Sequence, residues 1–215
     1  YRPFLVKEEK LLVIALESED SQQITSAIKA VISDCILSKD VKIETLPTFD
    51  IEYLFLNIRG KSVGEVVEVN IVCPDDGQTE VKVSINLDEI QVIRNEEHTK
   101  TVKLDDTYFM DMKYPSLEQF IRNNFEFENP DMDQSFEVIG SCIDKIYDNE
   151  EVWSTDDVTP QEVKDFLEQL NSTQFKEIEK FFSTMPKLSH TIDVKNPKTK
   201  KKSKVTLEGL SSFFA

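Results

Sequence analysis

Histidine titrates nearest neutral pH and is the side chain most often used as acid or base. This chain has two, His98 and His190. His98 lies in Arg94-Asn95-Glu96-Glu97-His98-Thr99-Lys100, a charged stretch that reads as a solvated turn. His190 sits at an alternating strand position beside Ser189 with no identifiable acidic partner, and reads as a structural histidine. Neither anchors a nucleophilic triad, because no Ser or Cys occupies an elbow such as GxSxG. The phosphate cradles GxxxxGK(S/T) and GxGxxG are missing too. Cys35, Cys73 and Cys142 are odd in number and far apart, with no CxxC pair, so neither a disulfide framework nor a zinc site follows from them. A reducing compartment is the simpler inference. The pairs Asp75/Asp76, Asp131/Asp133 and Asp156/Asp157 flank turns or helix starts, where carboxylates cap and complement the helix dipole. The expectation is a protein that is not an enzyme and holds no metal or cofactor. A metal-dependent hydrolase is the enzymatic alternative, and it requires a bound metal.

Charge carries more information. The chain has a formal net charge of −16, yet residues 195–204 (KNPKTKKKSK) hold six Lys and no acid, which leaves −22 for the remainder. So acidic a surface repels nucleic acid and anionic membranes. The cluster itself, with Lys198, Lys200, Lys201 and Lys202 at its centre, has no aromatic to stack on bases and no Arg for bidentate base contacts. It reads either as a solvated turn or as a contact for an acidic protein partner or an acidic face of the same molecule. Trp153, in Glu150-Glu151-Val152-Trp153-Ser154, is suited to an interface anchor or to core packing.

The elements that must position these residues follow from periodicity. With 39% hydrophobic residues over 215 positions, the chain can build one large core or two modest ones. There is no apolar run of about 18 residues and no signal-peptide pattern, so no segment is expected to span or cross a membrane. Tyr1–Phe4 reads as extended, followed by a short helix from Lys7 to about Glu17. Asp20 and Gln23 suit a capping box ahead of the helical stripe Ile24, Ala27, Ile28, Val31, Ile32, Cys35, Ile36. Asp50 is the expected cap of a helix bearing Ile51, Leu54, Phe55 and Ile58, with Gly60 ending it. Val67, Val69, Ile71 and Cys73 then alternate up to Pro74-Asp75-Asp76-Gly77, and Val81, Val83, Ile85 and Leu87 alternate after it. That is a β-hairpin.

Residues 99–113 look extended. The second half reads as mostly helical, with one stripe of Leu117, Phe120, Ile121 and Phe125 and a longer one of Met132, Phe136, Ile139, Ile143 and Ile146. Thr159-Pro160-Gln161-Glu162 is a helix start, leading Val163, Phe166, Leu167 and Leu170. Phe175, Ile178, Phe182 and Met185 form the next helix, stopped by Pro186. A second hairpin runs through Leu188, His190, Ile192 and Val194, turns at Asn196-Pro197-Lys198-Thr199, and returns through Val205 and Leu207. The expected fold class is α+β, mainly helical with two antiparallel β-hairpins. Its expected domains are a helix-plus-hairpin unit at 1–113 and a helical unit ending in a hairpin at 114–215.

Three stretches together resemble the T4-type baseplate protein family. They are Tyr1-Arg2-Pro3-Phe4-Leu5-Val6-Lys7-Glu8-Glu9-Lys10, the run Leu46-Pro47-Thr48-Phe49-Asp50-Ile51-Glu52-Tyr53-Leu54-Phe55 with Ile58–Glu65 behind it, and the terminal Leu207-Glu208-Gly209-Leu210-Ser211-Ser212-Phe213-Phe214. The resemblance implies a late viral protein of a contractile phage tail. It would be a baseplate hub subunit residing in the virion and present in the host cytoplasm during assembly. Its implied partners are other hub proteins and the tape-measure protein. An assembly chaperone that coats the tape-measure protein and then leaves is the alternative. The resemblance also implies zinc-ribbon-like turns with a CxxC pair at each tip. Here Cys73-Pro74-Asp75-Asp76 keeps one thiol and Asn196-Pro197-Lys198-Thr199 has none, so no metal is expected and hairpin packing is expected to hold the turns. The expected partner contacts are Phe4, Trp153, Lys198, Lys200, Lys201, Lys202, Phe213 and Phe214.

Overall fold

The computed structural model describes residues 1–18, 20–38, 40–117, 119 and 132–213. Three helices come first: α1 (Val6–Glu17), α2 (Ser21–Cys35) and α3 (Thr48–Val63). Strands β1 (Val66–Val72), β2 (Glu80–Asn86) and β3 (Gln91–Ile93) follow, then β4 (Thr101–Lys103) and β5 (Phe109–Met112). Beyond them lie α4 (Met132–Ser141), β6 (Ile143–Tyr147), β7 (Val152–Ser154), α5 (Pro160–Gln169) and α6 (Ser172–Thr184). The last pair is β8 (Lys187–Lys195) and β9 (Lys202–Glu208). Among the described residues, no helix is long and apolar enough to cross a membrane.

The chain divides into two compact units, one made of Tyr1–Ile93 with Pro186–Ala215 and the other of Arg94–Met185. These differ from the consecutive stretches 1–113 and 114–215. The reason is a strand pairing remote in sequence. β3 pairs with β8 (Gln91 opposite Ser189, Ile93 opposite Lys187), so the second hairpin returns to the unit that holds the first.

In the first unit, the Asp20 carboxylate accepts a hydrogen bond from the Gln23 N–H at 2.9 Å and caps α2. Behind that cap Ile24, Ala27, Ile28, Val31, Ile32 and Cys35 are all buried. α3 begins at Thr48 rather than at an Asp50 cap, and it runs through Gly60. A Cβ at Gly60 would meet Leu87 at ordinary contact distance, whereas Gly64 has φ 134 and ends the helix. The paired strands β1–β2 and the sheet of order β3-β8-β9 share a core of Leu56, Val69, Ile85, Ile90, Leu188 and Phe213 among others.

The second unit is built on an antiparallel sheet of order β4-β5-β6-β7. Its core joins Met110, Met112, Cys142 and Ile143 to Leu167, Ile178 and Phe181. Thr159 and Asn171 form capping boxes with Glu162 and Gln174 at the starts of α5 and α6.

The expectation of a mainly helical chain with only two hairpins is overturned, since the described strands form three antiparallel sheets of two, three and four strands. The Ile139–Ile143–Ile146 spacing fits a helix, yet α4 ends at Ser141 and the two later isoleucines lie on β6. There Ile146 pairs opposite Met110 and Ile143 opposite Met112, so neighbouring strands decide what local spacing left ambiguous. The expected residues Phe120, Ile121 and Phe125 lie outside the described residues, as does Phe214.

Candidate functional site in the paired hairpin turns

The two hairpins of the first unit end in turns built on one plan. In Cys73-Pro74-Asp75-Asp76-Gly77, the Gly77 N–H donates to the Cys73 carbonyl at 2.9 Å. In Asn196-Pro197-Lys198-Thr199-Lys200, the Lys200 N–H donates to the Asn196 carbonyl at 3.0 Å. Each turn has Pro in second place, which presets φ, and a left-handed residue in fifth place. That residue is Gly77 at φ 63 in the first turn and Lys200 at φ 65 in the second.

A polar clasp joins the turns. Asn196, 1% exposed, is its centre. Its Oδ1 accepts the N–H groups of Lys198 (2.8 Å) and Thr199 (3.2 Å), which fixes its own turn. Its Nδ2 donates across to Asp75 Oδ1 at 3.0 Å and Asp76 Oδ2 at 2.9 Å. The amide's two donor and two acceptor positions are thereby all filled. The Thr199 hydroxyl donates to the second Asp75 oxygen. Asp76 also accepts from the N–H groups of Gln78 (3.1 Å) and Thr79 (3.0 Å) and from the Thr79 hydroxyl (2.6 Å). Hydrogen bonds from Thr199 and Asn196 hold the Asp75 carboxyl below its ordinary range, and those from Thr79 and Asn196 pull Asp76 further down. Two corrections follow. The aspartates do more than cap their own turn, and hairpin packing does not hold the turns alone.

The clasp occupies the places where the resemblance implies CxxC pairs. Those four positions hold Cys73, Asp76, Asn196 and Thr199. A structural zinc takes four sulfur or nitrogen donors, and here the only thiol is buried while the oxygens of Asp76 are already engaged by N–H and O–H donors. The donor set does not fit the metal. Burial raises the pKa of the Cys73 thiol, and the nearby Asp75 and Asp76 raise it further.

Beyond the clasp, Lys195, Lys198, Lys200, Lys201, Lys202 and Lys204 are all exposed. Among the described residues none of the six reaches ion-pair distance of a carboxylate, whereas Lys187 on the same hairpin pairs with Glu208 at 2.7 Å. The β8–β9 register sets Lys195 directly opposite Lys202.

The other expected contacts fall elsewhere. Phe4 is buried, with its N–H donating to Ser62 Oγ at 2.8 Å, and Phe213 is 1% exposed in the first unit's core. Trp153 lies on β7, an end strand of the second unit's sheet, 41% exposed and 6.1 Å from the ring of Tyr108.

His98 was expected in a solvated turn. Instead it packs among Tyr114 and Phe181, with ring centroids at 5.7 and 5.2 Å. Its Nδ1 is 3.0 Å from Thr184 Oγ1 and its Nε2 3.0 Å from Tyr114 OH. The Thr184 hydroxyl donates to the Lys180 carbonyl at 2.7 Å, so it accepts from Nδ1–H and leaves Nε2 to accept from Tyr114. Burial, then the Lys100 charge, lower the His98 pKa and favour the neutral ring. A cavity of about 40 Å³ beside this cluster is lined by Thr99, Val102, Phe181 and Thr184, among others. That volume is far below the several hundred Å³ usual for small-molecule sites. The sequence signal for His98 was the charged stretch from Arg94 to Lys100, which gave no hint of the remote Tyr114 and Thr184. His190 lies on β8 opposite Leu207 and is half-buried.

A protein-family model described as T4 bacteriophage base plate protein matches residues 1–215 of this chain. No curated protein and no solved structure gives a match.

Proposed function

The chain belongs to the T4 bacteriophage base plate protein family, and from that premise we propose that it is a baseplate hub subunit acting through protein–protein contacts without catalysing a reaction. The family match gives the coarse role, a structural protein of the phage tail baseplate that works among other baseplate proteins. The observation that carries the finer reading is the lysine tip. Among the described residues, six exposed lysines on the turn and its flanking strands have no carboxylate within ion-pair distance, and the clasp fixes that turn against a second hairpin. A fixed cationic tip steers and registers an acidic partner and loses no loop entropy on docking. Trp153 with Tyr108 supplies a second contact, of the aromatic kind enriched in interface hot spots.

The test is co-expression with the other tail-hub proteins and with the tape-measure protein, followed by affinity capture and mass measurement. A stable hub complex, weakened by the joint substitution Lys198→Glu, Lys201→Glu and Lys202→Glu, is expected. Capture of no hub protein would overturn the reading. Quantitative proteomics of purified particles separates a resident subunit, present near stoichiometry, from an assembly chaperone on the tape-measure protein, which would be missing.

A further inference from the structure

We infer that the lysine tip docks onto a second copy of this chain, at the acidic and aromatic end of the other copy's four-stranded sheet. The inference deepens the proposed hub role and rests on the lysine tip being a contact surface.

Charge is unevenly shared between the units. Residues 94–185 carry nine basic and 22 acidic side chains, a net of −13, while the first unit carries 16 and 19, a net of −3. A cluster of six lysines lies on one hairpin of the first unit, and most of the excess of acidic side chains belongs to residues 94–185.

Two costs in the hairpin point to a partner. Lys195 and Lys202 face each other across the β8–β9 register, and like charges directly opposite destabilise an antiparallel pair. Lys200 is the one non-glycine with positive φ among the described residues, at the place the first turn gives to Gly77. A side chain there costs of the order of 1 kcal/mol or more against glycine. An anionic surface against the tip relieves the repulsion, and its attraction for the Lys200 side chain offsets the backbone cost, which itself stays.

The receiving surface is complementary in kind. The β4–β5 and β6–β7 turns lie at the same end of the second unit's sheet, because Lys103, Phe109, Tyr147 and Val152 pair in one row. That end gathers Asp105, Asp106, Asp148, Glu150 and Glu151. Among the described residues, of these five only Asp106 has a cation within ion-pair distance, Lys103 at 2.7 Å. The Asp105 and Asp148 carboxylates accept backbone N–H groups that fix their turns, so the charges are held in place. Beside them Tyr108, Val152 and Trp153 are 40%, 66% and 41% exposed. Carboxylates beside exposed aromatic faces suit lysine, which pairs with the first and lies over the second. A tip-to-sheet contact joins unlike surfaces, so it can close as a reciprocal dimer or a ring, or extend as a chain of copies.

The experiment is sedimentation velocity over a concentration series at low and high ionic strength, on the whole chain. Wild type is expected to self-associate, with at least a tenfold loss of affinity at high salt. Two variants reverse the charges, one with Lys198→Glu, Lys201→Glu and Lys202→Glu, the other with Asp105→Lys, Glu150→Lys and Glu151→Lys. Each alone is expected to be monomeric with an unchanged melting temperature, and their equimolar mixture is expected to associate again. Wild type that stays monomeric, or a mixture that fails to associate although both variants melt like wild type, overturns the inference. DNA binding abolished by the lysine variant overturns it too. If self-association fails while hub proteins are still captured through the lysines, the second copy is wrong and the hub reading stands.

Discussion

Asn196→Ala removes the centre of the clasp and leaves both hairpin backbones in place. The side chain is 1% exposed and makes four hydrogen bonds, two from backbone N–H groups and two to carboxylates. Each backbone bond contributes about 1 kcal/mol. Bonds to carboxylates are stronger, but Asp75 and Asp76 are half-exposed and recover water, so about 1 kcal/mol each is the appropriate figure. The expected loss is roughly 3 to 4 kcal/mol, which lowers the melting temperature by roughly 6–16 °C. Calorimetry gives that figure, and maleimide labelling of the buried Cys73 reports whether the loss lies in the first unit. Asn196→Asp separates the donors from the acceptors. It keeps an oxygen for Lys198 and Thr199 but sets a third carboxylate against Asp75 and Asp76. The pKa of the introduced carboxyl is therefore raised above its unfolded value of about 3.9. Stability tied to its protonated form is present below that value and is lost as pH rises through the folded pKa. This variant should be weakest at neutral pH and recover towards about pH 4. A loss below about 1 kcal/mol for Asn196→Ala, or an Asn196→Asp protein as stable as wild type throughout, would refute the clasp as the joint between the turns.

Three further outcomes are expected. A Cβ on Gly140 would stand 2.9 Å from Val163 Cγ1, so Gly140→Ala should destabilise the second unit by about 1–3 kcal/mol in urea unfolding, and adding Val163→Ala should restore most of it. For Glu8, desolvation alone would raise the carboxyl's pKa, but hydrogen bonds from Arg2, the Leu5 N–H and Lys7 outweigh it and pull the pKa down to about 2. The stability it lends is complete above the ordinary value of about 4.3 and is lost as pH falls through the folded value. Glu8→Gln should therefore unfold more easily than wild type at pH 7 in denaturant titration, with the gap closing in strong acid. His98 is held neutral, so its contribution is complete above about pH 6.5 and declines as pH falls through its lowered pKa. Melting curves at pH 7.5 and pH 5 should show that decline in wild type and not in His98→Phe.

Local chemistry alone determined much of this protein. Asp20 with the Ile24–Cys35 stripe, Thr159-Pro160-Gln161-Glu162, and the two alternating hairpins each hold their own signal within a few residues, because capping, i to i+4 packing and period-two alternation are local. The lysine cluster was equally legible, since charge needs no fold to be counted. Tertiary structure decided the rest. The three-residue strands β3, β4 and β7 are too short to carry a period and exist because a partner strand satisfies them. Ile143 became strand because Met112 lies opposite. Asp75 and Asp76 read as turn formers until Asn196, 121 and 120 positions away, proved to be their partner. His98 read as solvated because Tyr114 and Thr184, which make its hydrogen bonds, reach it only through folding. Sequence fixes what each short segment can do, and long-range pairing of donors, acceptors and strand edges selects which of those options is used.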